Sequence, residues 1–215
     1  MFGIANFWNV VSNLPFLFVG LWGLQWIVSA NDSCCLTELR FIYILFFIGI
    51  ALVALGSSYY HFSPSNSTLV WDRLPITIAF MALFAIILGE FVSVRFGQLI
   101  LLPLLAYGIF AVMYWHYSET MGQGDLRWYI VVQLIPILSL PIILLLFNAT
   151  FTLKNAYWLL LASYLLAKLL EYFDAETYNI VPLLSGHSLK HLVAAFGIYL
   201  LIRAYKKRCR CNRMQ

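Results

Sequence analysis

Charge is scarce in this chain. Lys and Arg number 13 and Asp and Glu 9 in 215 residues, 10% of the total, whereas soluble domains carry about 25%. With 63% hydrophobic residues and a mean hydropathy of +0.87, that scarcity excludes a water-soluble globule and gives no basis for nucleic-acid binding. A polytopic membrane protein is what remains. No short basic n-region precedes the first apolar segment and apolar segments recur to the end, so a cleaved signal peptide does not explain the opening. Internal repeats, Gly/Ser linkers and composition shifts are missing too. The expected organisation is therefore one transmembrane domain, residues 1–205, and a basic tail, residues 206–215. Cysteines number only 4, as Cys34-Cys35 and Cys209/Cys211. None has the CxxC spacing of a zinc or redox site, and free thiols on a reducing face are the expectation.

What is abundant is apolar sequence in lengths that cross a bilayer, which requires about 20 residues. Seven segments qualify, at about 4–29, 39–61, 72–91, 97–117, 126–147, 155–172 and 187–205. The expected fold is thus all-α, a seven-helix membrane bundle. Pro136 and Pro141 predict a kink in the fifth helix. The cluster Arg203, Lys206, Lys207, Arg208, Arg210 and Arg213 places the C-terminus in the cytoplasm and, across seven spans, the N-terminus outside. The same tail has affinity for anionic lipid.

Against this apolar background the polar residues stand out. Residues four apart share one helix face, so Ser57 pairs with His61 and His187 with His191. In the inferred topology Ser57 and His61 end the second helix, Asp72 starts the third, and His187 and His191 occupy the first two turns of the seventh. All five then lie within about two turns, roughly 10 Å, of one depth near the outer face. Three imidazoles suit a catalytic zinc whose fourth position is open to water. Paired His on membrane helices can also ligate haem iron, but His187 and His191 share one helix, and an Asp beside the ligands suits water activation.

The Ser57-x-x-x-His61, Asp72 and His187-x-x-x-His191 pattern resembles the alkaline ceramidases, part of a wider group of seven-helix membrane hydrolases and receptors that includes the adiponectin-type receptors. The opening Phe7-Trp8-Asn9-Val10-Val11-Ser12-Asn13 is similar to the first-helix ceramidase signature Glu-Phe-x-Asn-Thr-x-Ser-Asn. Asp72-x-Leu74-Pro75 also matches, with its spacing of eleven from His61. The resemblance implies a zinc-dependent hydrolase that cleaves the amide of ceramide or a related N-acyl lipid of the membrane. It implies that His61, His187 and His191 hold Zn²⁺, that Asp72 is the base, and that Ser57 is a polar partner for the reacting group. Three departures accompany it. The family's acidic calcium-binding stretch before the first helix is absent, Asn6 replaces the signature Glu, and Lys190 replaces the aromatic residue common before the last His. A family-type calcium site is not expected. A receptor- or lipid-binding member of the same group, with structural zinc, is the rival reading.

Each residue also has a plainer role open to it. Asp72 can take a proton from water and return it to the leaving amine, or cap a helix N-terminus. Ser57 can donate to an oxyanion, or bond back to its own helix. Asn6, Asn9 and Asn13 form one polar stripe suited to interhelical hydrogen bonds. Lys168 and Glu171 are placed for an i, i+3 ion pair, and His116 for the interfacial aromatic belt.

Overall fold

The computed structural model describes residues 6–31, 33–180 and 184–211. The first apolar segment forms two helices, α1 (Phe7–Val11) and α2 (Leu14–Ser29), instead of one. Ser12 Oγ and Asn13 Nδ2 donate back to the Asn9 carbonyl, at 3.3 and 2.7 Å. Pro15 has no N–H to continue the ladder, but is well suited to the first turn of a new helix.

A 3₁₀ turn, Thr37–Leu39, leads into α3 (Arg40–Phe62). Helix α4 (Asn66–Phe91) starts well before the expected position. Its N-cap is Ser65, which accepts from the Thr68 N–H at 3.1 Å while the Ser65 N–H donates to Thr68 Oγ1 at 3.0 Å. This capping box fixes the helix start. It removes the capping role from Asp72, which sits in the second turn. The polar run Ser63–Ser67 had hidden this turn from a hydropathy count.

Helices α5 (Val94–Thr120), α6 (Arg127–Leu146) and α7 (Asn155–Tyr172) follow. Pro136 and Pro141 lie inside one continuous α6. Then α8 (Asp174–Ile180) turns away from α7 by 80°, and α9 (Gly186–Lys207) closes the bundle. Among the described residues, five segments are long and apolar enough to cross a membrane, at 7–29, 37–62, 66–91, 94–120 and 127–146. The bent pair of α7 and α8 makes a sixth if it is one span. Helix α9 has the length, at 22 residues, but Lys190, Arg203, Lys206, Lys207 and two His reduce its apolarity. Val28, Leu102, Leu145 and Leu146 are each more than two-thirds exposed, an outer surface suited to lipid.

Helix α4 lies between α3 and α5, α2 packs on α3, and α9 packs on α7 and α2. Helix α6 leans on α4 and α5 and meets α7 only sparsely. Two glycines set close approaches. A Cβ on Gly56 would lie 2.0 Å from the Trp71 carbonyl oxygen, and one on Gly186 2.1 Å from that of Leu170. The first brings α3 against α4 beside Ser57 and Asp72, and the second seats the start of α9 on the end of α7.

At one end of the bundle, buried Glu90 and Arg208 form an ion pair at 2.8 Å. Tyr43 and Tyr157 donate to the two Glu90 carboxylate oxygens. Arg208 Nε donates to the Cys34 carbonyl at 2.7 Å, and the guanidinium lies 4.0 Å over both Phe151 and Tyr205. The segment after α9 is therefore tied down: an isolated bridge joins Phe151 to Arg210, and the Arg210 N–H donates to Ser33. No disulfide joins Cys34, Cys35, Cys209 and Cys211.

Candidate metal centre and its cavity

The three imidazoles expected to converge do so. His61 comes from the last turn of α3, and His187 and His191 from the first two turns of α9. His61 Nε2 and His187 Nε2 are 3.0 Å apart, and one ring nitrogen from each of the three lies within 4.8 Å of the others. Two nitrogens held at about 2.0–2.1 Å by one zinc are at most about 4 Å apart, so small side-chain rotations bring the set onto one ion. The donors are chemically apt as well, since imidazole is a common zinc ligand.

One ring is fixed by its neighbours. Ser12 Oγ is 2.9 Å from His191 Nδ1, and the same hydroxyl donates to the Asn9 carbonyl at 3.3 Å. A serine hydroxyl has one proton. With that proton on Asn9, Ser12 accepts from Nδ1–H, and His191 Nε2 keeps its lone pair free for a metal. Ser12 was part of the signature but carried no assigned role. Its signal is visible only once α1 is seen to end there.

The rest of α1 braces the same centre. Asn6 Nδ2 donates to the His61 carbonyl at 3.2 Å, and Ser58 Oγ to that of Val10 at 3.2 Å. Asn9 Oδ1 accepts from Ser188 Oγ at 2.6 Å and Ser185 Oγ at 3.2 Å. The expected asparagine stripe thus makes interhelical bonds through Asn6 and Asn9, while Asn13 folds back on Asn9. At the other side of α9, the His187 N–H donates to Asp174 Oδ1 at 2.6 Å. Asp174 is the first residue of α8, in the stretch between the sixth and seventh apolar segments.

A cavity of about 450 Å³ opens at the centre and is lined by all five residues singled out in the sequence: Ser57, His61, Asp72, His187 and His191. Its size is within the 300–1,000 Å³ of small-molecule sites. Ser57 is buried and lines the cavity beside Asp72. Along α4 the lining residues are Asp72 and Arg73, then Ile76, Phe80, Leu83 and Ile87. Spaced by three and four, they form one stripe, polar at the centre and apolar below. From Asp72 to Ile87 the stripe runs about 22 Å. Lys168 and Glu171 of α7 form the expected ion pair, at 2.8 Å, and Lys190 joins them through the other Glu171 oxygen. His116 lies outside the cavity, beside Trp115.

Fold and centre together define an all-helical, multi-pass membrane protein with three histidines gathered in the lining of a largely apolar cavity. The ceramidase family profile matches residues 2–214, nearly the whole chain, and the chain belongs to that family. Membership implies a hydrolase that acts on ceramide. Comparison with curated proteins and with solved structures gave no match in either case.

Proposed function

We propose that the protein is a zinc-dependent intramembrane amidohydrolase that cleaves ceramide, or a related N-acyl lipid, to a fatty acid and an amine. The observation that carries this reading is the gathering of the His61, His187 and His191 nitrogens in a largely apolar cavity that Asp72 also lines. His61, His187 and His191 would hold the zinc ion. A bound zinc supplies Lewis acidity, polarising a carbonyl and lowering the pKa of water to about 7.

The chain's own groups account for the proton traffic. Asp72 takes the proton of the attacking water as its oxygen bonds to the amide carbon. When the C–N bond breaks, Asp72 returns that proton to the leaving nitrogen, so acid and amine leave together and the carboxylate is restored. Ser57 first donates to Asp72 and orients it. Once Asp72 is protonated, the Ser57 O–H is free to turn to the developing oxyanion, and it keeps its proton throughout. The apolar stripe below holds the acyl chain. From Ile76 to Ile87 it runs roughly 16 Å, close to the half-thickness of a hydrocarbon core of about 30 Å.

Seven crossings, with α9 as the last, an outer N-terminus, and the metal centre toward the non-cytoplasmic face belong to the same reading. Arg203, Lys206, Lys207 and Arg210 cluster at and after the end of α9, which supports a cytoplasmic C-terminus. The α9 residues that lower its apolarity near its start, His187, Lys190 and His191, line the cavity instead of facing lipid. No calcium role is assigned, since Asn6 offers its amide to the His61 carbonyl.

The test measures fatty acid released from ceramide, with zinc content determined in the same samples. Asp72→Asn is expected to keep zinc and lose about 10²–10⁴-fold in turnover, the usual worth of general acid–base catalysis. His191→Ala is expected to lose zinc and activity together, and Ser57→Ala to lose less than either. Near wild-type turnover by zinc-loaded Asp72→Asn would remove the base. Zinc-loaded wild type that hydrolyses no N-acyl lipid would instead favour a binding-type protein.

A further inference from the structure

The cavity contains one cation that forms no salt bridge among the described residues. Arg73 follows Asp72 on α4 and lines the cavity beside it. Its guanidinium carbon lies 3.8 Å over the Trp115 ring and 4.9 Å from the Tyr129 ring centre. Both aromatics are buried and packed with Val70 and Val112. The side chain is therefore held in place, but Nη1 is buried with no hydrogen-bond partner.

Two nearby carboxylates are engaged elsewhere and the third stops short of a salt bridge. Asp72, the neighbour of Arg73 on α4, attracts the guanidinium without pairing with it. Glu119 accepts from Trp115 Nε1 and Asn66 Nδ2, each at 3.1 Å. Glu171 is shared between Lys168 and Lys190. Among the described residues none of them forms an ion pair with Arg73. Burying an unpaired charge is costly unless something completes it. Stacking on two rings recovers part of that cost, but an unmatched donor remains. Around the polar end of the cavity three cations, Arg73, Lys168 and Lys190, face two carboxylates, Asp72 and Glu171. The local balance is positive before any metal is counted.

We propose that Arg73 is the headgroup-binding residue of this cavity, and that the lipid it takes bears an oxyanion, carboxylate or phosphate, on the polar side of its amide. The planar guanidinium fork matches either anion through two parallel N–H···O bonds. Clamping by Trp115 and Tyr129 presents the fork without further ordering. The position one residue from Asp72 sets the anion next to the amide to be cleaved, opposite the apolar stripe. This inference rests on the amidohydrolase reading for the amide itself, while the anion preference stands on Arg73 alone.

The experiment uses the full chain in detergent with three palmitoyl lipids: ceramide, N-palmitoylglycine and ceramide 1-phosphate. Equilibrium binding of each labelled lipid is measured after a short cold incubation, and released fatty acid is counted in the same samples. Wild type is expected to bind at least one anionic lipid about 10- to 100-fold more tightly than ceramide, as for a charged hydrogen bond gained in a buried site. Whether the carboxylate or the phosphate lipid wins identifies the headgroup. Arg73→Gln is expected to erase that preference, so that the variant binds the anionic lipids within about twofold of ceramide. Arg73→Lys, which keeps the charge without the fork, should fall between. Equal binding of all three lipids by wild type overturns the proposal, and this comparison does not depend on any variant folding. Equal loss of all three lipids in a monodisperse Arg73→Gln protein overturns it too. An anion preference without fatty acid release would uphold the binding site and overturn the hydrolase reading instead.

Discussion

Replacing Ser12 with Ala removes a single oxygen that no reacting atom touches, yet it should weaken metal binding. In the native arrangement Ser12 Oγ lies 2.9 Å from His191 Nδ1 in buried surroundings. Without it, Nδ1–H has no partner, and the ring can move the proton to Nε2, which would block the lone pair meant for the ion. Leaving a buried donor unsatisfied costs about 1–3 kcal/mol, which converts to roughly 5- to 150-fold in an equilibrium constant. Measured losses of outer-shell partners to metal-bound His, typically 10–100-fold, agree with that range. Titration of the purified protein against a zinc chelator of known affinity measures the effect directly, with no need for turnover. Ser58→Ala is the control, since it removes a bond from α3 to the Val10 carbonyl and touches no imidazole. Zinc affinity of Ser12→Ala within about twofold of wild type, or equal losses in the two variants, would refute the orienting role and reduce Ser12 to a tie between helices.

Other consequences can be checked independently. Arg208→Met should destabilise the bundle by about 3–5 kcal/mol by stranding the Glu90 carboxylate, read as a lower unfolding midpoint in a denaturant series. Adding Glu90→Gln to Arg208→Met should recover part of that loss. Gly56→Val should separate α3 from α4 at Ser57 and Asp72, because even a Cβ would fall 2.0 Å from the Trp71 oxygen. Lower turnover with zinc retained is the expected outcome, since the His61 backbone is also held by Asn6. Cysteine labelling in sealed vesicles should find residue 123, in the loop between α5 and α6, on the non-cytoplasmic side, and labelling from the cytoplasm would reverse the inferred orientation.

The helical class, most of the apolar lengths and the convergence of three imidazoles were legible because each depends on local pattern. Hydropathy finds long apolar runs, and four-residue spacing places His187 above His191. Features decided by short polar stretches were not legible. The opening helix breaks at Ser12–Asn13 because side chains there compete for the Asn9 carbonyl, and α4 gains its first turn from Ser65 and Thr68. The second of these was written as a capping box, but the count of apolar residues passed over it. The role of Arg73 was hidden for a different reason. Arg73 forms no salt bridge among the described residues, and seeing that requires knowing where Glu119 and Glu171 point. Arg208 was counted with the tail cations, and only the fold reveals that it is buried against Glu90.

The distance along the chain between Ser12 and His191, 179 residues, has a consequence for biosynthesis. Chain order imposes an order of assembly. Until α9 emerges, the nascent bundle offers a potential ion one imidazole, His61, and the carboxylate of Glu90 awaits Arg208. Both deficits are corrected by the same helix, its first turns supplying two histidines and the residue just past its end supplying the guanidinium. Gathering of the three imidazoles and closure of the Glu90–Arg208 pair therefore both wait on α9.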